Sequence, residues 1–415
     1  MSQDFVRQLP GTGLKIQRKA GLGNALHLDV PMLLLLLIIS AYGLVILYSA
    51  VGQQIEPVIS QGIKVLVGLS AMVVIAQISP VVYMRLAPWI FLIGLIALVL
   101  IYFFGVEVKG SRRWLRIPGI VTFQPSEIMK LMLPLILAWY FHDRHLPPRA
   151  RHVFWSLMLI FVPVMLIAFQ PDLGTSLIIA ASGLFVLLLA GVSWRLVLMA
   201  IGLGVSAAPA LWFVLRDYQK QRILTLLDPE RDPLGAGWNI IQSKTAIGSG
   251  GLFGKGLFEG TQSNLDFLPE SQTDFIVAVL AEELGLAGVV VLLILYLLLI
   301  GRGVILSVQA QDTFGRLLSG SITFTFFVYV FVNMGMVSGI LPVVGVPLPF
   351  VSYGGTSILT LFLGFGILMS VHVAKDIING WKLVVLSGKQ RNDMSTRIRF
   401  FIGGTSVHCC TMCSW

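Results

Sequence analysis

Residues 31–50 read PMLLLLLIISAYGLVILYSA, twenty positions without one charged side chain. A helix rises about 1.5 Å per residue, so about 20 residues cross the roughly 30 Å hydrocarbon core of a bilayer. The run exceeds the apolar region of about 7–15 residues in a secretory signal, so it reads as a spanning anchor and not as a cleavable leader. Measured outward with the same ruler, nine further runs follow, near 60–78, 87–105, 126–142, 153–170, 174–191, 196–215, 275–301, 318–340 and 353–376. The run 126–142 is short and holds Glu127 and Lys130, and 153–170 and 174–191 are closely spaced.

Composition agrees with that reading. The chain has 415 residues, 56% hydrophobic and 12% charged, with a mean hydropathy of +0.87. A soluble globular protein carries about 25% charged residues, and so few charges cannot cover a soluble surface. Soluble enzymes, disordered chains and disulfide scaffolds are excluded. The expected fold is an all-α polytopic integral membrane protein of about ten transmembrane helices. It has a tail at 1–30, a helical domain at 31–376 and an extension at 377–415. No repeat of fixed period is visible.

Ten spans put both termini on one side. With the N-terminus inside, seventeen Lys and Arg fall in inner segments, against four in the outer segment near 109–116. Topology follows short-loop positive charge, so both termini are expected in the cytoplasm. The net charge of +9 therefore has a membrane explanation, and no nucleic-acid partner is inferred. Cys409, Cys410 and Cys413 all lie in the last seven residues, so no disulfide joins parts of the body. With His408 they are too compressed for a four-ligand zinc site.

Two outer segments are too long to be connectors. One runs from Val106 to Pro125. The other, between helices seven and eight, runs from 216 to 274 and carries six basic and eight acidic residues. Loops beyond about 15 residues are usually functional. Trp238–Ile247 has the apolar period of a short helix at the membrane face, which Gly248–Ser249–Gly250–Gly251 would end. The glycines of 248–256 miss the phosphate-loop spacing, because Ser249 and Gly256 occupy required positions. They read as turn formers.

All six histidines fall on the cytoplasmic side of this topology. Chemistry on the outer face then needs a carboxylate, Lys or Tyr as general base. Asp274, directly before a span, is the acid best placed at the membrane boundary. Position alone favours a helix N-cap; a carboxylate presented to a lipid-linked head group is the functional reading, and the two are compatible. Glu127 and Lys130 share a helix face. Ionisable groups within a membrane are usually paired and functional, so a structural ion pair and a substrate role weigh equally. Lys64 is a weaker case, since a long side chain can snorkel. The outer cations are Lys109, Arg112, Arg113 and Arg116, then Arg216, Lys220, Arg222, Lys244 and Lys255. They suit an anionic ligand such as a phosphate, although for any one of them a solvated loop charge is the commoner state.

Several strings together resemble a known family. They are Arg113–Trp114, Phe123–Gln124–Pro125–Ser126–Glu127–Ile128–Met129–Lys130, and Gln170–Pro171–Asp172–Leu173–Gly174–Thr175–Ser176. After these come Leu227–Asp228–Pro229, Asp232–Pro233–Leu234–Gly235–Ala236–Gly237, Gln242–Ser243, Gly248–Ser249–Gly250–Gly251–Leu252 and Gly254–Lys255–Gly256. The series closes with Phe267–Leu268–Pro269–Glu270, Thr273–Asp274–Phe275, Ala281–Glu282–Glu283–Leu284–Gly285 and Pro349–Phe350–Val351–Ser352–Tyr353–Gly354–Gly355. In this order they resemble the SEDS family (shape, elongation, division and sporulation) over residues 28 to 376. The tail beyond about residue 382 departs from it.

The resemblance implies ten transmembrane helices and a glycosyltransferase that polymerises lipid II on the outer face of the bacterial inner membrane during cell elongation. It also implies a class B penicillin-binding protein as transpeptidase partner, within an elongation complex of other membrane proteins. By the family pattern Asp274 is the essential acid, and Glu127 with Lys130 match an important polar pair. The chemistry suits such a reaction. A polyprenyl diphosphate leaves as a stable anion, so the site needs one base for the acceptor's 4-hydroxyl and cations for the phosphates. Asp274 is the expected base. The expected phosphate-binding set is drawn from Arg113, Lys130, Arg216, Lys220, Arg222, Lys244 and Lys255, with Glu127 beside Lys130. No organic cofactor is expected. A divalent cation, Mg²⁺ or Mn²⁺, bridging Asp274 and the diphosphate is a variant. The competing classes are a lipid II flippase and a scaffold for a synthase complex. A broken-helix repeat of the transporter kind is not seen.

Overall fold

The structure is a computed structural model that describes residues 28–108, 111–117, 121–170, 172–214, 217–232, 235–261, 270–388, 400–402 and 405–407. Among these, helices occupy the ten expected runs: α1 Val30–Ala50, α2 Ile55–Ala76, α3 Pro80–Phe104, α4 Pro125–His142, α5 Ala150–Ala168, α6 Leu173–Leu189 and α7 Trp194–Val214. The outer segment then gives α8 Asp217–Leu227, a short 3-10 turn at Pro229–Arg231 and α9 Ala236–Gly250. The last three are α10 Ile276–Gln309, α11 Thr313–Val337 and α12 Thr356–Gly388. By length and composition α1, α2, α3, α5, α10 and α11 can each cross a membrane, and α6 and residues 356–372 of α12 are shorter apolar helices.

The outermost apolar side chains face away from the protein. Ile63, Leu66 and Val67 on α2 and Trp89 and Ile93 on α3 are all more than half exposed, as suits surfaces that meet lipid. α4 and α11 lie innermost. Twelve residues of α4 are buried, Glu127 and Lys130 among them. α4 packs on α3, α5, α6 and α11, and α11 also packs on α6 and α10. Between them they carry the buried Glu127, Lys130 and Asn333.

Three expectations change, and one segment given no secondary structure in the sequence acquires it. The outer segment from Val106 to Pro125 forms an antiparallel sheet of β1 Val106–Val108, β2 Ser111–Ile117 and β3 Val121–Phe123, in the order β1-β2-β3. The third span starts at Pro80, not near 87, because proline suits the first helical turn, and Pro88 is carried inside the helix. The last span starts at Thr356, which leaves Tyr353, Gly354 and Gly355 in the preceding loop. The N-cap of α10 is Phe275, with no side-chain capping bond, so Asp274 is not the cap that its position suggests.

The short helix in the long outer segment is present as α9, and it ends in the glycine run, with Gly251 at φ 58°. The chain beyond α9 serves a break in α10. Gly285 has φ 64° and ψ −162°, which interrupts that helix. Leu286 and Ala287 donate N–H bonds to the carbonyls of Gly251 and Leu252 at 3.0 Å, while Lys255 and Gly256 donate to those of Glu282 and Glu283 at 3.0 Å. Backbone groups freed by the break inside an apolar helix are thereby paired, as a membrane demands. Gly254 is required there, since a Cβ would lie 2.0 Å from the Glu283 carbonyl oxygen.

The chain divides into two units, residues 1–374 and 375–415. In the second, strands β4 Phe400–Ile402 and β5 Thr405–Val407 pair antiparallel. Cys409, Cys410, Cys413 and His408, like residues 1–27 of the N-terminal tail, lie outside the described residues.

Candidate active site

A cavity of about 460 Å³ opens where the sheet, α4, the start of α6, the turn before α10 and the loop before α12 converge. Asp274, Glu127, Lys130 and Arg113 all line it, so four of the residues singled out in the sequence meet in one place. Among the described lining residues the groups able to act as a base are Glu127, Asp172, Glu270, Asp274, Lys130 and Tyr353.

Asp274 sits in a tight turn. The N–H groups of Thr273 and Phe275 both donate to the Glu270 carbonyl at 3.2 Å, and the Thr273 hydroxyl donates to the Glu270 carboxylate at 2.8 Å. Asn333 on α11, fully buried, holds the turn from below. Its Nδ2 donates to the Asp274 carbonyl at 2.9 Å and to the Val346 carbonyl at 2.7 Å. Gly345 lies against this carboxylate, a Cβ there falling at contact distance, 3.4 Å from Asp274 Oδ2, and its φ of 71° is what calls for glycine. Glycine adopts that backbone region freely.

Glu127 and Lys130 form the cavity floor. Lys130 Nζ donates to Glu127 Oε1 at 2.6 Å and to the Tyr329 hydroxyl on α11, and it lies 4.7 Å from the centre of the Tyr329 ring. Thr360 Oγ1 on α12 lies 3.5 Å from Glu127 Oε2. The ion pair itself is within one helix, yet its outer contacts join α4 to α11 and α12. Behind it lies a chamber of about 30 Å³ lined by the same pair with Tyr329 and Thr360.

The cap role absent at Asp274 belongs to Asp172, the N-cap of α6, whose carboxylate accepts from the Thr175 N–H at 3.2 Å. It also accepts from Gln124 Nε2 at 3.0 Å and lies 3.7 Å from Arg113 Nη1 on β2. One cap thus fixes α6, β2 and the entry to α4 around the cavity. Asp172 and Asn333 were not singled out in the sequence. Asp172 sits in the Gln170–Pro171–Asp172 string just before a span, the cap position that position alone would flag. A lone Asn inside an apolar span carries the same membrane-polar signal as Glu127.

The expected basic surround is not what lines the cavity. Among the described lining residues Arg113 and Lys130 face Glu127, Asp172, Glu270 and Asp274, two cations against four carboxylates. Lys255 lies elsewhere, 2.6 Å from Glu282 at the break in α10. Lys244 is exposed on α9 with its side chain over Gly339. Lys220 is half-buried on α8, and Arg222 lines a separate apolar groove. Arg116 is exposed on β2. Arg216 and Lys109 lie outside the described residues, as does the side chain of Arg112. Lys64 on α2, the weaker candidate, rests 4.0 Å from the centre of the Tyr353 ring, and Tyr353 lines the cavity. A hydrogen bond from Ser60, and a second from Lys64, holds the Tyr353 phenol below its usual range.

Comparison with known proteins gives a consistent picture. A family model named for FtsW, RodA and SpoVE, described as a cell cycle protein, matches residues 29–377. The chain is 54% identical over 357 residues to the peptidoglycan glycosyltransferase MrdB of Escherichia coli, covering 86% of this chain and 96% of that one. It is 37% identical over 376 residues to an FtsW of Trichlorobacter lovleyi described as a peptidoglycan glycosyltransferase, covering 87% and 96%. Among solved structures it is similar to a chain of a peptidoglycan synthase complex that coordinates polymerization and crosslinking, with TM-score 0.74 and 31% identity over 84% of this chain and 98% of that one. It is also similar to the rod shape determining protein RodA of Thermus thermophilus, with TM-score 0.64 and 28% identity over 84% and 97%.

Proposed function

The chain belongs to the FtsW/RodA/SpoVE family of cell cycle proteins, and from that premise we propose that its cavity is the active site of a peptidoglycan glycosyltransferase. The substrate is lipid II, polymerised into glycan strands during cell elongation. The enzyme works in the bacterial inner membrane with its cavity facing the periplasm, beside a class B penicillin-binding protein that crosslinks the product. The partner reading is supported by the likeness to a synthase complex in which polymerization and crosslinking are coordinated.

The observation that carries the mechanism is the placement of Asp274. It lines the cavity directly before α10, its carbonyl held by Asn333, while the N-cap of that helix is Phe275. In this reading the Asp274 carboxylate takes the proton from the acceptor sugar's 4-hydroxyl as that oxygen attacks the anomeric carbon of the donor. The polyprenyl diphosphate departs from the opposite face, so configuration inverts. General-base assistance of this kind contributes about 10²–10⁴-fold. Arg113 and Lys130 are the cations at hand for the diphosphate. The first residues of α12, Thr356 and Ser357, also line the cavity and bring helix N-terminal N–H groups toward an anion.

The excess of carboxylates favours the variant with a divalent cation. Among the described residues no group of three or more acidic, His or Cys side chains is placed to hold a metal. The protein's share would be Asp274, with substrate phosphates completing the shell, a division that suits Mg²⁺. Bound there, the ion would neutralise the diphosphate.

A groove of about 310 Å³ beside the cavity is lined by Leu173, Leu177, Ile223 and Val344, with Arg222 among them. The loop 342–347 separates the two spaces, with Pro342 and Val344 on the groove and Val343, Gly345 and Pro347 on the cavity. A polyprenyl chain in this groove would place its phosphates at Arg222 and its sugars across the loop.

One assay separates enzyme from flippase and scaffold. Purified protein with its penicillin-binding partner is given lipid II in detergent, and glycan chains are scored. Polymer whose formation needs this chain establishes the enzyme. Head-group translocation in liposomes without polymer would establish a transporter, and neither activity would leave a scaffold.

A further inference from the structure

Glycosyl transfer between two lipid-linked sugars brings two diphosphates to one site. The cations that line the cavity are already matched to protein carboxylates, Arg113 to Asp172 and Lys130 to Glu127. Two other basic side chains are matched too, Lys255 to Glu282 and Arg302 to Asp29. Lys64 differs. It lies well inside the apolar helix α2, and among the described residues no carboxylate lies within ion-pair distance of it. Its ammonium is held instead by the ring face of Tyr353, 4.0 Å from the centroid, and by the Tyr353 hydroxyl.

The surroundings give this lysine an address. Glu56, Ser60 and Lys64 recur every four residues, so they form one polar stripe on α2, while Ile59, Ile63, Leu66 and Val67 beside it are more than half exposed toward lipid. Tyr353 belongs to the catalytic surround. Its N–H donates to the Gln272 carbonyl at 2.8 Å, two residues before Asp274, and its side chain lines the cavity. The adjoining loop is clamped to α2 by Gln61, whose Nε2 donates to the Ser352 carbonyl at 3.0 Å and whose Oε1 accepts from the Gly354 N–H at 3.3 Å. An anion arriving from the bilayer along α2 therefore meets an ammonium with no carboxylate to displace, seated on a ring that lines the same cavity as Asp274.

We propose that Lys64, seated on Tyr353, is a phosphate-binding subsite for a second polyprenyl diphosphate, entered along α2 and distinct from the groove that Arg222 lines. The subsite rests on the glycosyl-transfer reading given above. It supplies the charge that the cavity lining lacks. The ring of Tyr353, which lines the cavity, attracts the ammonium and holds it beside that lining.

Binding and turnover are measured separately for wild type, Lys64→Gln, Lys64→Arg and Tyr353→Phe, with thermal unfolding in detergent confirming that each variant is folded. Undecaprenyl diphosphate is the binding probe; undecaprenol, without charge, and phosphatidylglycerol, a generic anionic lipid, are the comparison arms. Loss of one charge-assisted contact predicts that Lys64→Gln binds undecaprenyl diphosphate about 10-fold more weakly, with a similar rise in half-saturating lipid II and kcat within about 2-fold. Lys64→Arg should recover most of the loss, and Tyr353→Phe should lose less than Lys64→Gln. Undecaprenol and phosphatidylglycerol should bind all four proteins alike. Unchanged undecaprenyl diphosphate binding in a folded Lys64→Gln protein overturns the subsite, as does an equal loss of phosphatidylglycerol. A wild type that makes no polymer overturns the glycosyl-transfer reading, and the binding titration then still decides whether Lys64 recognises the diphosphate.

Discussion

Glu127 on α4 and Glu282 on α10 are both buried carboxylates in otherwise apolar helices, and each lies 2.6 Å from a lysine ammonium. Their surroundings part company. Glu282 is 0% exposed, and its Oε1 also accepts from the Thr261 N–H and hydroxyl, both at 2.8 Å. It joins the loop 251–261 to the break at Gly285, next to Glu283, which accepts from Ser49 on α1. Glu127 forms the floor of a cavity of about 460 Å³ with Asp274 at its side. An ionisable group in a membrane helix is a functional candidate by default, and this pair shows what the default leaves out. Lys–Glu pairs of the same length close a helix break in one place and face a cavity in the other. The cavity distinguishes them.

Substitutions in the two regions should have different consequences. The largest combined effect is expected from Lys130→Met. Leaving one partner of a buried ion pair unmatched costs about 3–5 kcal/mol, and removing a cation at the leaving group costs about 10²–10³ in rate. Thermal unfolding and lipid II turnover should both fall. Next is Gly254→Ala, where a forced positive φ and a clash with the Glu283 carbonyl cost about 1–3 kcal/mol. It should lower the unfolding temperature and speed amide exchange at Leu286 and Ala287, while turnover per folded molecule holds. Asn333→Ala joins the two regions, because it frees the Asp274 turn without touching substrate. Misplacing a reacting group lowers kcat, here by about 10-fold, with half-saturating lipid II little changed. The smallest effect is expected from Lys244→Gln. An exposed charge outside the cavity contributes about 0–1 kcal/mol, so turnover and unfolding should match wild type.

The membrane class and the helical runs were legible because an uncharged stretch such as residues 31–50 has one physical explanation. Helix orientation was not. Ile63 and Leu66 face lipid while Val65 and Met72 are buried, and apolar residues on both sides erase the periodicity that marks the inner face of a soluble helix. The small sheet escaped because its strands are short and lie in a segment judged by length, where only Leu115–Arg116–Ile117 alternates and Pro118–Gly119 is a turn signal. At the site, Asp274, Glu127 and Lys130 stood out as charges at or inside spans. Their meeting with Arg113 required the fold, and so did the separation of Lys255, whose partner Glu282 is 27 residues away in sequence. The acidic excess of the cavity could not be read from a list of outer cations, since each cation's neighbours are set by tertiary packing.

If the cluster around Asp274 performs the chemistry and the cluster at Glu282 holds the fold, Asp274→Asn and Glu282→Gln will part in one lipid II polymerisation assay with rates expressed per folded molecule. Asp274→Asn should unfold like wild type and lose at least about 100-fold in rate. Glu282→Gln should unfold earlier and polymerise within about 2-fold of wild type once scaled to the folded fraction. Normal polymerisation by Asp274→Asn, or its loss in a fully folded Glu282→Gln protein, would contradict this division of roles.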